Sequence, residues 1–321
     1  MGASMHFAQG DGSSIVGGMK LDTTAAATPR ATGADGAAPS RGARRGAGVA
    51  LMLGSGLSNQ TGASVAALAF PVIGPAGVVA VRQWVAAVIL GVVGRPRLRH
   101  FTAQQWRPVL GLALVFAGMN LSLYTAIDRI GLGLAVTLEF LGPLTVALAG
   151  SRRRVDLVAA GAAAGAVAVL MRPTPSTDYL GIGLALLAAA CWACYILLNR
   201  TVGARLPGLE GSAAAAAVSA VLYLPVGAWV LWHHPPTPAA LGCALIAGVL
   251  SSAVPFLADL LALRRVPAHF FGVFMSVNPV FAALVGLVVL GQRLDVLAWL
   301  AIAVIVAANT AAVSTARRRT P

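Results

Sequence analysis

Charge is what this 321-residue sequence has least of: 10% of its residues are Asp, Glu, Lys or Arg, against 58% hydrophobic. A soluble domain puts about a quarter of its residues into charge, so an ordinary water-soluble enzyme of this size is excluded. Cysteine is scarce at three residues, which does not suggest a disulfide framework. Strand-type alternation over ten-residue segments is missing, and that excludes a membrane β-barrel, whose lipid-facing and lumen-facing residues must alternate. No apolar segment precedes a cleavage site near the N-terminus, so no signal peptide is expected. No nucleophile-base pair or metal-ligand cluster stands at a membrane surface, so no enzyme, metal or other cofactor is expected. A receptor or sensor would need an additional soluble domain, for which the sequence gives no sign.

What is present is Ala, Leu, Val and Gly in long runs, at residues 49–70, 73–93, 106–126, 131–150, 155–171, 180–199, 212–232, 239–263, 269–290 and 294–314. Each is about long enough to cross ~30 Å of hydrocarbon as a helix at ~1.5 Å per residue. Gly and Pro in the second, seventh and eighth runs mark places where those helices can break. Residues 1–46 are rich in Gly, Ala, Ser and Thr and read as a disordered tail. The net charge of +13 would suggest nucleic acid if it lay on one polar face, but the Arg residues sit in short clusters between the runs. The partner they imply is the bilayer, with no nucleic acid.

Lys and Arg near helix ends stay on the cytoplasmic side. With the N-terminus inside, the clusters Arg41–Arg45, Arg95–Arg107, Arg152–Arg154, Arg200–Arg205, Arg264–Arg265 and Arg317–Arg319 all fall inside, against Arg129, Arg172 and Arg293 outside. That bias predicts an even number of spans and both termini in the cytoplasm.

The chain also repeats itself. Shifted by 136 residues, Leu114–Leu148 aligns with Leu250–Leu284 without a gap, pairing Arg129 with Arg265 in a turn and Pro143 with Pro279 in mid-helix. Span three thus corresponds to span eight and four to nine. Five spans are an odd number, so the second copy enters the membrane inverted. The expected fold is an all-α membrane protein of ten transmembrane helices in two inverted five-helix repeats, 47–173 and 178–315. Two such halves can alternate between inward-open and outward-open states around one central site, the arrangement of a carrier.

Ionisable residues at membrane depth are costly, which makes them functional candidates. Arg82 on span two and Glu139 on span four each lie about nine residues from the outer end, roughly 13 Å deep at ~1.5 Å per residue. In one reading Glu139 receives an ammonium or a proton and Arg82 a carboxylate; in the other they are a structural ion pair. Asp259 on span eight follows Pro255 by one turn and is either a second proton-coupling carboxylate or a snorkelling partner of Arg264 or Arg265. Asn120, Tyr124, Gln60, Trp192, Tyr195, Ser276 and Asn278 are candidate cavity residues or hydrogen-bonding glue between helices. Pro143, Pro255 and Pro279 are candidate helix breaks for gating. Cys191 and Cys194 form C-x-x-C inside an apolar span and read as small packing residues. His233 and His234 read as a solvated turn. Gly161 and Gly165 make a G-x-x-x-G on span five, suited to close packing within the monomer or in a homodimer.

Four stretches carry a family resemblance: Asn120 through Glu139 to Pro143, Ala190–Tyr195, Ser251–Pro267, and Phe271–Pro279. Over roughly 47–313 the sequence resembles the threonine/homoserine-exporter branch of the EamA transporters, in the drug/metabolite transporter superfamily. The resemblance implies ten helices in two inverted repeats, an inner-membrane location, and export of a small amino acid or related metabolite driven by protons. It also implies an acidic residue at the place of Asp259. Two departures remove a carboxylate: Asn278 stands before Pro279 where the family commonly has Glu, and Gln292 stands in Leu290-Gly-Gln-Arg-Leu where Glu is frequent. Coupling through those two positions is not carried over. A same-fold carrier for a drug, purine, sugar or nucleotide-linked solute, or a non-transporting membrane scaffold or enzyme, are the alternative readings.

Overall fold

The computed structural model describes residues 41–149, Val158, 161–163, 165–166, 178–206, 209–255, Ala258 and 277–316, and every regular element among them is helical. Helix α1 (Arg41–Ala67) leads into α2 (Phe70–Gly94), and one 3-10 turn (Leu98–His100) into α3 (Ala103–Ile130). Then come α4 (Leu132–Glu139), α5 (Leu141–Leu148), α6 (Tyr179–Arg205) and α7 (Glu210–His233). Helix α8 (Pro238–Gly248) runs on into a π turn (Val249–Ala253), and α9 (Asn278–Leu290) and α10 (Val296–Ala316) complete the described chain. Helix α1 starts at Arg41, ahead of the apolar run at 49.

Helices α2, α3, α6 and α7 are long and apolar enough to cross a bilayer, and shorter apolar stretches occupy Leu132–Val146, Pro238–Ala253, Asn278–Leu290 and Val296–Ala308. The distribution of polarity is that of a lipid-solvated bundle. Val88, Leu114 and Val288 point outward, while Gln60, Gln83, Asn120, Glu139 and Asn278 are buried.

Of the expected breaks, two are seen and one is not. In α2, Gly74 at φ 65, ψ 170 interrupts the helix just before Pro75, a conformation that glycine alone adopts easily. The π turn precedes Pro255. Helix α7, by contrast, runs through Pro225 as one element. The fourth span divides at Phe140 into α4 and α5. Pro143 lacks the N–H that would bond the Glu139 carbonyl four residues back, so the helical ladder loses a rung at that point.

Side chains tie the helices where backbones approach. Helices α3 and α6 run antiparallel and are fastened at both ends: Arg129 Nε lies 2.8 Å from Asp178 Oδ2 at one end, and Gln105 Nε2 donates to Arg205 O (3.1 Å) while Arg205 Nη1 donates to Gln104 O (2.8 Å) at the other. Asp178 also caps α6 by accepting from Gly181 N at 2.8 Å. That hydrogen bond, and then Arg129, hold its carboxyl below the ordinary value of 3.8. The stabilisation it gives is complete above that value and is lost only as pH falls through the lowered one. Trp84 Nε1 donates to Ala220 O (3.2 Å) between α2 and α7, and Tyr223 Oη to Ala117 O (2.9 Å) between α7 and α3. Between α1 and the turn after α8, Ser58 Oγ donates to Leu250 O (2.9 Å) and Ser251 Oγ to Asn59 O (3.2 Å).

Gly142 is where α5 comes closest to α6: an added Cβ would overlap the Ala189 carbonyl oxygen, a backbone atom that cannot move aside. Gly142→Ala is therefore expected to lower thermal stability by about 1–3 kcal/mol, the usual penalty of overpacking. Gly183→Ala on α6, where an added Cβ meets nothing within 4 Å, is the control and should melt with the wild type.

Candidate functional site

Near the middle of α2, Arg82 is half-buried and faces α3. Its Nη1 donates to Asn120 Oδ1 at 2.7 Å, and Asn120 Nδ2 donates in turn to Phe116 O at 2.8 Å. The second bond fixes which way the amide points, so that its oxygen is left for the guanidinium. One turn further along α3, the Tyr124 ring lies under the guanidinium with Cζ 4.9 Å from its centroid, a cation-π contact. An acceptor and an aromatic face at i and i+4 thus hold Arg82 in one orientation. Among the described residues this is its one side-chain hydrogen bond, and the remaining N–H groups of the fork are free for a ligand.

Glu139 ends α4 and is 6% exposed. It faces the same cavity as Arg82. The two make no ion pair within 4 Å; among the described residues the ion pair is Arg129–Asp178. A guanidinium and a carboxyl group face one space with a gap between them.

That space has a volume of about 240 Å³. Drug-sized ligands use roughly 300–1,000 Å³, so this cavity suits a small metabolite. Its wall takes residues from both parts of the chain: Ser55, Asn59 and Gln60 from α1, Arg82 from α2, Tyr124 from α3, Glu139 from α4, Trp192 from α6, Ser251 and Pro255 beyond α8, and Asn278 at the start of α9. Phe140 and Trp192 meet edge to face at 4.7 Å and give it an aromatic side. Among the described residues of its wall, Arg82 and Glu139 are the ones with a guanidinium or carboxyl group. Pro143 and Pro255 act on it through the backbone, since the carbonyls they leave without an i+4 donor belong to Glu139 and Ser251, both wall residues.

Of the residues expected to form a site, Arg82, Tyr124, Glu139, Trp192, Asn278, Pro255 and Gln60 come together at the cavity. Asn120 stands behind Arg82 as its support. Tyr195 lies elsewhere, in a small cleft with Leu112 and Phe116, its ring tilted against that of Phe116 with centroids 5.9 Å apart. Pro143 is one turn past Glu139 and outside the wall, and Pro279 is buried in the first turn of α9. Asp259 and Ser276 fall outside the described residues. Sequence reasoning missed Ser55 and Asn59. Their four-residue spacing, which puts them with Ala63 on one face of α1, was the signal that could have found them.

Gln292, the second position without a carboxylate, serves the fold: its Oε1 accepts from Leu132 N at 2.9 Å and caps α4 just after Gly131, which has φ +84. An amide oxygen accepts here as a carboxylate would.

The EamA-like transporter family profile matches residues 179–313. The threonine/homoserine exporter RhtA of Salmonella typhimurium is 38% identical over 268 residues, covering 81% of this chain and 89% of the relative. The exporter of the same name from Escherichia coli K12 is 36% identical over 277 residues, covering 84% and 92%. A solved crystal structure, 18% identical, superposes with a TM-score of 0.54 over 82% of this chain and 98% of its own, a likeness of fold alone.

Proposed function

We propose, from the premise that this chain belongs to the EamA-like transporter family, that it exports a small amino acid of the threonine or homoserine kind by alternating access, coupled to protons. The observation that carries this reading is that Arg82 and Glu139 line one cavity within the membrane-spanning region without an ion pair to each other or to any other described residue. A zwitterion supplies the two missing partners at once: its carboxylate meets the free N–H groups of the Arg82 fork, and its ammonium meets Glu139. Hydroxyls and amides from Ser55, Asn59 and Gln60 suit a short polar side chain, and the small volume disfavours a drug-sized cargo. Glu139 exchanging an ammonium for a proton links export to the gradient, with Asp259 as the second carboxylate of the reading.

Ten spans in two inverted repeats, with both termini in the cytoplasm of an inner-membrane protein, belong to the same proposal. Helix contacts support it. If span one corresponds to six, two to seven, three to eight and four to nine, several of the observed pairings have an observed mate. The α1–α8 pair maps onto α6–α3, α1–α9 onto α6–α4, and α2–α8 onto α7–α3; α2–α7 and α4–α9 map onto themselves. Helices that lie across such an axis must run antiparallel. They do: Gly77 meets Val230 and Gly94 meets Ala213 between α2 and α7, and Gly133 meets Ala283 and Gly131 meets Gln292 from α4 to the end of α9. A homodimer through Gly161 and Gly165 is a further part, supported by the open space beside both glycines.

The test is counterflow of radiolabelled threonine and homoserine in proteoliposomes, with and without an imposed pH gradient. Uptake that follows the gradient is the expected result. Absence of uptake of both amino acids by folded protein would overturn the cargo.

A further inference from the structure

A second feature, independent of the cargo, lies at the end of the bundle where α2 and α6 stop and α3 and α7 begin. Arg95, Arg97, Arg99 and His100 are all exposed within six residues, and Arg107, also exposed, follows in the second turn of α3. The fastening of α3 to α6 brings Arg205 to the same end. From 36 to 127 the sequence holds no Asp or Glu. Among the described residues the acidic one at this end is Glu210, at the start of α7 next to Leu209, and it makes no ion pair within 4 Å with any of these cations.

Two local preferences are set aside to keep this charge. Arg95 adopts φ +40, a left-handed conformation usual for glycine, as the cap of α2. Arg107 places a cation near the positive end of the α3 dipole, where an acid would be favourable. Departures of this kind collect at functional positions. Between the cations, the Phe101 and Trp106 rings meet at a tilt with centroids 5.5 Å apart and pack, half-buried, on the small core of Val109, Leu112, Val202 and Leu206. An aromatic pair at the limit of apolar helices is the usual anchor at the headgroup level of a bilayer.

We propose that this basic rim binds the headgroups of anionic phospholipids in the adjoining leaflet. The position decides the occupant: the cations begin where the apolar length of α2 ends, at Gly94, so the nearest dense layer of negative charge is the phosphate layer of the membrane itself.

The test compares lipids at one tryptophan. The full chain is reconstituted in phosphatidylcholine vesicles containing either brominated phosphatidylglycerol or brominated phosphatidylcholine, and quenching at Trp106 is read as the difference between wild type and Trp106→Phe. Phosphatidylglycerol is expected to quench several-fold more effectively, and the preference should weaken with added salt. The combined variant R95Q, R97Q and R99Q should abolish it while melting with the wild type in pure phosphatidylcholine; if the triple variant does not fold, each single variant should give a partial loss. Equal quenching by the two lipids, or a preference unchanged by these substitutions, would overturn the proposal. So would displacement of the brominated phosphatidylglycerol by inorganic phosphate but not by sodium chloride of equal ionic strength, which would assign the rim to a free phosphate.

Discussion

Glu139→Gln is expected to give a folded protein that binds its cargo weakly and no longer responds to a pH gradient. The substitution keeps the volume and one acceptor oxygen of the side chain, so the wall of the cavity and the packing at the end of α4 are preserved. What it removes is the carboxyl group on the cavity wall that can carry a negative charge or a proton. A charge-assisted hydrogen bond contributes about 1.5–3 kcal/mol. Losing the one to a substrate ammonium should therefore raise the half-saturating concentration of amino acid about 10- to 100-fold. The proton effect is qualitative, since an amide cannot take up a proton in this range and any uptake that remains should be the same with and without the gradient. Counterflow and gradient-driven uptake measured on the same vesicles separate the two. Gradient-driven uptake retained by the variant would remove Glu139 from the coupling path and move that role to Asp259. Wild-type affinity retained by the variant would remove it from the cargo site.

The sequence led to this pair by depth counting. Arg82 and Glu139 stand at similar distances from the outer ends of two parallel spans, and in the folded chain they face one cavity. Hydropathy located the long helices well, because a lipid-exposed helix is apolar over its whole length and its ends are marked by Arg. The division at Phe140 was harder to read. It needs the recognition that Pro143 strips a donor from the carbonyl of Glu139 itself, whereas Pro225 in α7 leaves its helix continuous. Trp192 and Tyr195 show the limit of periodicity: three residues apart on α6, they share nearly the same face and differ mainly in height. Trp192 meets Phe140 at the cavity, and Tyr195 meets Phe116 about one turn away. Close approaches such as Gly142 on Ala189 were not legible among 36 glycines, since sequence alone does not tell a packing glycine from a lipid-facing one.

Arg82→Lys should be nearly as damaging as loss of the carboxylate, although it keeps the charge. Three features of the site depend on the guanidinium: the 2.7 Å bond to Asn120, the 4.9 Å contact with the Tyr124 ring, and the free donors of the fork. Lysine ends in a single point donor set, cannot present two parallel N–H groups to a carboxylate, and has no planar face for the ring. Loss of one arm of a bidentate, charge-assisted contact predicts a rise of about 10- to 100-fold in the half-saturating concentration, with the maximal rate less affected. Asn120→Ala reaches the same donors by another route, freeing the guanidinium to rotate, and should raise the half-saturating concentration by a smaller factor. Because both substitutions act on one contact, the double variant should be little worse than Arg82→Lys alone. Concentration dependence of counterflow across the three variants and the wild type measures this directly. Additive losses would mean that Asn120 touches the cargo itself, and wild-type affinity in Arg82→Lys would mean that the arginine serves the α2–α3 contact and that the carboxylate of the cargo is held elsewhere.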